Sequence, residues 1–178
     1  EVMAQAKLGE ARSLLDAGEA AEAHPIFQGL ADSTGLPTTI DRAARAGLGE
    51  ALAQMGELRD ALDIWRELLA EPGSRHDRIQ LELLVANGLL QGGRRKEAST
   101  AFRSLADSDN AEARVQGLLG LAEVARASAE RERAKSFYRQ VADLGIDPVW
   151  TVRALAELTD LAAEDSDTEA VLKLTREL

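Results

Sequence analysis

Cysteine is absent from the 178 residues, and His24 and His76 are the only histidines. A disulfide framework and a thiolate metal site are thereby excluded, and two isolated imidazoles supply neither a metal-ligand cluster nor a nucleophile–base–acid arrangement. Nothing in this cysteine usage separates an oxidising from a reducing compartment. Aromatic residues make up only 3% of the chain, so the 45% apolar content is carried mainly by Ala and Leu. A core of that kind is expected to form from closely packed helices. No apolar run approaches the roughly 20 residues that cross a bilayer, and no basic-then-apolar leader follows Glu1. A chain that opens on Glu rather than Met is expected to be processed or excised from a longer one.

Positive charge is also scarce. The formal net charge of −10 argues against nonspecific binding to phosphate backbones, which needs a dense cationic surface. No nucleic-acid partner is therefore expected. The balance is uneven: residues 1–36 carry six acids and two bases, residues 74–109 five and six, residues 110–142 four and six, and residues 143–178 nine and three. A slightly basic centre between acidic ends can orient a charged partner, although ordinary solvated helix faces give the same pattern.

What the chain does have is a repeat. Ala23-Phe27-Leu30, Ala61-Trp65-Leu68, Ala98-Phe102-Leu105 and Ala134-Tyr138-Val141 share one spacing, with Ala170-Leu174 as a weaker fifth copy. The successive alanines stand 38, 37, 36 and 36 residues apart. Upstream of each lies a second helical segment, patterned like Leu48, Ala51, Leu52 and Met55 or Leu118, Leu121, Ala122 and Ala125, at the spacing of a buried helix face. Short breakers separate the two segments: Asp16-Ala17-Gly18, Met55-Gly56-Glu57, Gly92-Gly93, Ala127-Ser128-Ala129 and Glu164-Asp165-Ser166. Pro37, Pro72 and Pro148 fall between repeats, where a helix cannot continue through them. Each unit therefore reads as helix, tight turn, helix.

These residues resemble the tetratricopeptide repeat: a small residue in the first helix, Gly in the turn, then Ala and an aromatic in the second helix. Residues 42–73 match best, through Leu48-Gly49, Leu52, Gly56, Ala61, Trp65 and Pro72. Ala11, Ala86 and Ala122 occupy the small-residue site of other copies, Ala129 and Asp165 replace the turn Gly in the fourth and fifth, and Leu174 replaces the last aromatic. The resemblance implies an all-α, right-handed α-solenoid superhelix. It would hold about five hairpins, or about ten helices, in a single domain over residues 1–178, with repeats near 4–37, 42–73, 79–110, 115–148 and 149–178. The period exceeds the roughly 34 residues of the standard repeat. The excess is expected in the loops Asp32–Thr39, Glu71–Asp77 and Gly145–Val149, as in bacterial envelope members of the family. Periplasm or envelope and cytoplasm both stay open as locations.

The same resemblance implies that first helices line a concave groove and bind a protein or peptide. An apolar row would run through Leu8, Ala46, Leu83, Leu119 and Leu155, and a polar row through Arg12, Glu50, Asn87, Glu123 and Thr159. Gln54, Gln80, Gln91, Gln116 and Arg126 would flank them as hydrogen-bonding groups. The row leucines can equally belong to the core. A carboxylate clamp is not expected, because Glu50 would repel the ligand. Arg94, Arg95, Arg131 and Arg133, with Lys96 and Lys135, can form a basic edge, although interleaved Glu97, Glu130 and Glu132 can neutralise it.

Other motifs reduce to structure. Gly47-Leu48-Gly49 lacks the third glycine and the strand of a dinucleotide loop, and Gly92-Gly93-Arg94-Arg95-Lys96 lacks phosphate-loop spacing. Asp107-Ser108-Asp109-Asn110 and Asp165-Ser166-Asp167 lack the Gly and the bidentate Glu of a calcium loop and read as helix caps. No catalytic residue, cofactor or metal is expected, and the chain is expected not to be an enzyme. Pro25 should distort or delay its helix. Val171, Leu172, Leu174 and Leu178 should leave the last helix apolar on its outer side. That end would serve a homo-oligomer or a larger complex, the alternative to groove binding.

Overall fold

The computed structural model describes residues 1–177, and Leu178 lies outside them. Among the described residues there are ten helices: α1 (Val2–Asp16), α2 (Ala20–Ala31), α3 (Thr38–Gln54), α4 (Leu58–Ala70), α5 (Arg75–Gln91), α6 (Arg95–Ala106), α7 (Ala111–Ala127), α8 (Arg131–Leu144), α9 (Pro148–Glu164) and α10 (Thr168–Glu177). They group into two compact units, one ending at Gly92 and the other beginning at Gly93. In the first, α2 packs on α1 and α3, α4 packs on α3 and α5, and α3 also touches α1 and α5. In the second, α6 to α10 pack in chain order, each on the next.

The repeat alanines are where the second helices press closest to their neighbours: Ala23, Ala61, Ala98 and Ala134 have no exposed surface. The aromatics four residues on are almost as deep, with Phe27, Trp65, Phe102 and Tyr138 at 0 to 2% exposure. Rings of this size cannot enter a helix interface already filled by side chains. The sequence solves this with glycine on the facing first helix. A methyl group at Gly47 would meet the Phe27 ring, one at Gly49 the Trp65 indole, and one at Gly120 the Phe102 ring. At Gly117 it would meet the backbone nitrogen of Ala106 and stand 2.7 Å from the Phe102 carbonyl oxygen, atoms that cannot swing aside.

The hairpin turns share one construction. A residue with left-handed backbone follows each first helix: Gly18, Gly56, Gly93, Ala129 and Ser166, with φ between 58° and 90°. The N–H of the next residue reaches back five positions to a helix carbonyl, from Glu19 to Leu14, Glu57 to Leu52, Glu130 to Ala125 and Asp167 to Ala162. That arrangement satisfies carbonyls otherwise left open at a helix end. Ala129 and Ser166 adopt a geometry that costs an L-residue about 1 kcal/mol, so tertiary packing holds these two turns. In the fifth repeat the glycine substitute is Ser166 and not Asp165.

Three further expectations differ from the structure. Only the first of the three expected loops is long, residues 32–37; most of the surplus lies instead in α3, α5, α7 and α9, each 17 residues long and beginning before the expected repeat starts. The stretch between α4 and α5 is only residues 71–74, and that between α8 and α9 only 145–147. Helix onset is early because Ser74 and Asp77 form a reciprocal capping box, Asn110 accepts from the Ala113 N–H, and Asp147 accepts from the Val149 N–H ahead of Pro148. Pro25 neither delays nor ends its helix. α2 starts five residues earlier, and both Pro25 and Ala21, whose carbonyl loses its helical donor, are exposed. Leu174 is not a free apolar group: it is 5% exposed and belongs to the core with Leu158, Leu161 and Ala162, while Leu172 remains 56% exposed.

Replacing Gly117 by Ala tests the close approach of α6 and α7. Ala favours an unobstructed helix by about 1 kcal/mol, and Gly9→Ala, with open space around it, should show that gain in urea unfolding. At Gly117 the backbone blocks the methyl group, so the variant should instead lose about 1–3 kcal/mol. Equal gains at both sites would contradict the packing described.

Candidate functional site

The polar row on the first helices follows from helix geometry. Leu8 and Arg12 on α1, Ala46, Glu50 and Gln54 on α3, and Leu83, Asn87 and Gln91 on α5 recur every four residues, so each set lies along one face. In the first unit Arg12 donates to Glu50 at 2.6 Å, joining α1 to α3, and also lies 3.9 Å from Asp16. The Gln54 amide donates to the Leu15 carbonyl at 3.4 Å. Asn87, Gln91 and Gln80 are exposed, and Leu83 is half-buried. Leu8 leans on the small cluster of Ala4, Leu30, Ile40 and Ala44.

In the second unit the row has a different character. Leu119 and Leu155 are 5% and 3% exposed and sit in the core with Val115, Tyr138 and Leu158, which corrects their assignment to a groove surface. The cause is the tight α7–α8–α9 packing around Tyr138. Glu123 accepts a 2.8 Å hydrogen bond from the Tyr138 hydroxyl. Burial pushes that phenol above its ordinary pKa, so it stays protonated and donating. Arg126 pairs with Glu157 across α7 and α9, and its own pKa is raised, first by the Tyr138 oxygen. Thr159 returns its hydroxyl to the Leu155 carbonyl. Glu123, Arg126 and Glu157 are therefore tied to one another's neighbours and not free for a ligand.

The basic edge is also largely neutralised. Arg94 makes two hydrogen bonds to Glu97, Arg133 pairs with Glu130, and Arg131 binds Asp165 at 2.6 Å and Glu164 at 3.0 Å. Lys135 bridges Glu132 and Asp165, and its hydrogen bond is the main reason the Asp165 carboxyl titrates below its usual range. Of the four arginines expected there, Arg95 alone has no salt-bridge partner among the described residues. Among those residues no cluster of three or more potential metal ligands forms, and no helix is long and apolar enough to cross a membrane.

Two roles escaped sequence reasoning. Trp65 and Tyr138 read as core aromatics, yet the indole N–H donates to the Ala46 carbonyl at 3.1 Å and the phenol reaches Glu123. The available signal was their polar tip at a position that Phe fills in two other repeats, since a buried Trp or Tyr needs a hydrogen-bond partner.

Compared with solved structures, the chain superimposes over almost its whole length on several repeat proteins. The P. anserina putative kinesin light chain with nearly identical TPR-like repeats gives a TM-score of 0.72 at 16% identity, covering 97% of this chain and 91% of that one. The fold is that of the tetratricopeptide repeat. PilF of Pseudomonas aeruginosa gives 0.70 at 16% identity over 96% of this chain and 72% of its own. MamA of Desulfovibrio magneticus RS-1 gives 0.62 at 14% identity over 98% and 92%. No family model and no curated protein sequence matches the chain. The tetratricopeptide fold explains why aromatic and small residues alternate between second and first helices here.

Tyr138→Phe isolates the hydroxyl from the ring. The core should keep its shape while Glu123 loses its donor, lowering stability by about 1–2 kcal/mol in urea unfolding. An unchanged midpoint would show that the hydrogen bond contributes nothing net.

Proposed function

We propose that the chain is a protein-interaction scaffold, not an enzyme, and that it holds a peptide segment of its partner on the first-helix face of residues 1–92. The observation that carries this is the row Leu83, Asn87 and Gln91 on α5. Its polar members are exposed and make no side-chain hydrogen bond within the described residues, above a half-buried leucine. Amide side chains can both donate to and accept from a peptide backbone, and the leucine adds an apolar contact for a side chain of the ligand. Ala46, Glu50 and Gln54 continue the row on α3, which packs on α5. The fold supports the scaffold reading as well, since stacked helical hairpins present extended helix faces to a partner. The corresponding leucines of the second unit are core, so they add little to such a surface.

The test uses peptides selected from a displayed library on the full chain. Binding should weaken about tenfold, the loss of one good contact, when Leu83→Asp is combined with Asn87→Ala, while circular dichroism and the sedimentation coefficient stay unchanged. Selected peptides that bind this double variant as tightly as the parent would contradict the assignment.

A further inference from the structure

Helices α6 and α8 flank α7 and leave two open cavities of about 360 and 250 Å³ between them. Leu121 and Phe137 line both, so the two cavities adjoin at this pair and follow one another along α6 and α8 as a groove interrupted by it. Its floor comes from α7, through Leu118 at one end and Val124 and Ala125 at the other. Phe137 is one residue off the repeat pattern: its neighbour Tyr138 fills the core position, whereas Phe137 stays half-buried in the groove wall.

The charged lining has a small positive excess in an acidic protein: Arg95, Lys96 and Arg133 stand against Glu130 in the smaller cavity, while Arg103 and Arg114 are balanced by Asp107 and Asp143 in the larger. Residues 94–142 hold ten Lys and Arg against seven Asp and Glu, while the whole chain carries −10. Arg103 and Arg114 stand at the wider end, Arg95, Lys96 and Arg133 at the narrower. Arg133 is paired with Glu130. Arg95, Lys96 and Arg103 have no salt-bridge partner among the described residues, and Arg114 spends its guanidinium on the Ser108 carbonyl at 3.1 and 3.3 Å. Asp107 and Asp143 also line the wider end, so a continuous acidic run would be repelled there. Isolated carboxylates, correctly spaced, would not.

The spacing follows from helix geometry. Arg95 and Arg103 are eight residues apart on α6, about 12 Å along the axis at ~1.5 Å per residue. An extended peptide advances about 3.3 Å per residue and alternates its side chains, so residues four apart reach both arginines from one face. The residue midway between them points the same way, toward Leu121 and Phe137. We propose that this groove docks an extended acidic segment of a protein partner, in which a carboxylate, an apolar side chain and a second carboxylate occupy alternate positions. Arginine suits this task because its planar fork binds carboxylates in pairs of hydrogen bonds.

The probe is a dye-labelled synthetic peptide with Glu, Leu and Glu at alternate positions in a Ser/Ala background, read by fluorescence anisotropy on the full chain. Saturable binding is expected, weakened about tenfold or more by Arg95→Glu with Arg103→Glu. Phe137→Ala, checked by circular dichroism, should weaken it too. Moving the two Glu residues to a spacing of three should have the same effect, whereas Leu83→Asp with Asn87→Ala should leave binding unchanged. The proposal is overturned if no saturable binding appears, if the misspaced peptide binds equally, or if single-stranded DNA competes as well as the peptide, which would mean charge attraction alone. Loss through the α5 variant would also overturn it, by placing the peptide on the first-helix face.

Discussion

The seating of a ring from a second helix against a glycine of a first helix is the constraint on which the other features depend. Phe27 meets Gly47, Trp65 meets Gly49 and Gly88, and Phe102 meets Gly120. Six aromatic residues are few for 178 positions, but four of them occupy the repeat site and are buried almost completely. Each fills the space between a hairpin and its neighbour, so their period sets the period of the fold. The glycine contact also explains why the helices can lie so close with a core made largely of Ala and Leu. Close packing of small side chains brings many weak contacts into range, and a ring fills what the alanines leave open.

That dry interior drives charge to the margins. No polar or charged residue is fully buried among those described. Ionic groups instead join elements at their rims: Arg42 and Arg45 grip Glu71, Arg131 and Lys135 grip Asp165, and Arg139 of α8 reaches past α9 to Glu177 of α10. The hydrogen bond from Arg45 is the first reason the Glu71 carboxyl titrates below its usual range. Such half-exposed pairs contribute little to stability individually. Their effect on function is to remove cations and carboxylates from the candidate surfaces. This is why amides on α5 and the unpaired Arg95, Lys96 and Arg103 remain as the chemistry available to a partner.

The fold was legible because period, punctuation and composition agreed. The alanine at each repeat is buried wherever the aromatic accompanies it, and the turn position is left-handed even where Ala129 stands in place of Gly. Sites were less legible. Helix periodicity places Leu119 and Leu155 on the first-helix face, but the same period serves the face turned to the next helix, and only packing around Tyr138 decides between them. Gly117 and Gly120 carried no pattern that separated socket glycines from helix-weakening ones; the ring opposite each is visible only in three dimensions. Loop length was misread because Ser74 and Asn110 start helices earlier than the apolar pattern does. The pairing of Arg131 with Asp165 spans 34 residues of sequence, a separation at which charge patterning along one helix has no predictive power.

In the proposed reading the first-helix face of residues 1–92 receives a peptide segment of a partner, whereas the C-terminal helix does not. Amide chemical-shift mapping of the labelled protein against a selected peptide addresses it most directly. The account predicts that the largest shifts fall on α3 and α5, around Ala46, Glu50, Leu83, Asn87 and Gln91. Shifts confined to α9 and α10, around Val152 and Leu172, with α5 unmoved, would contradict it.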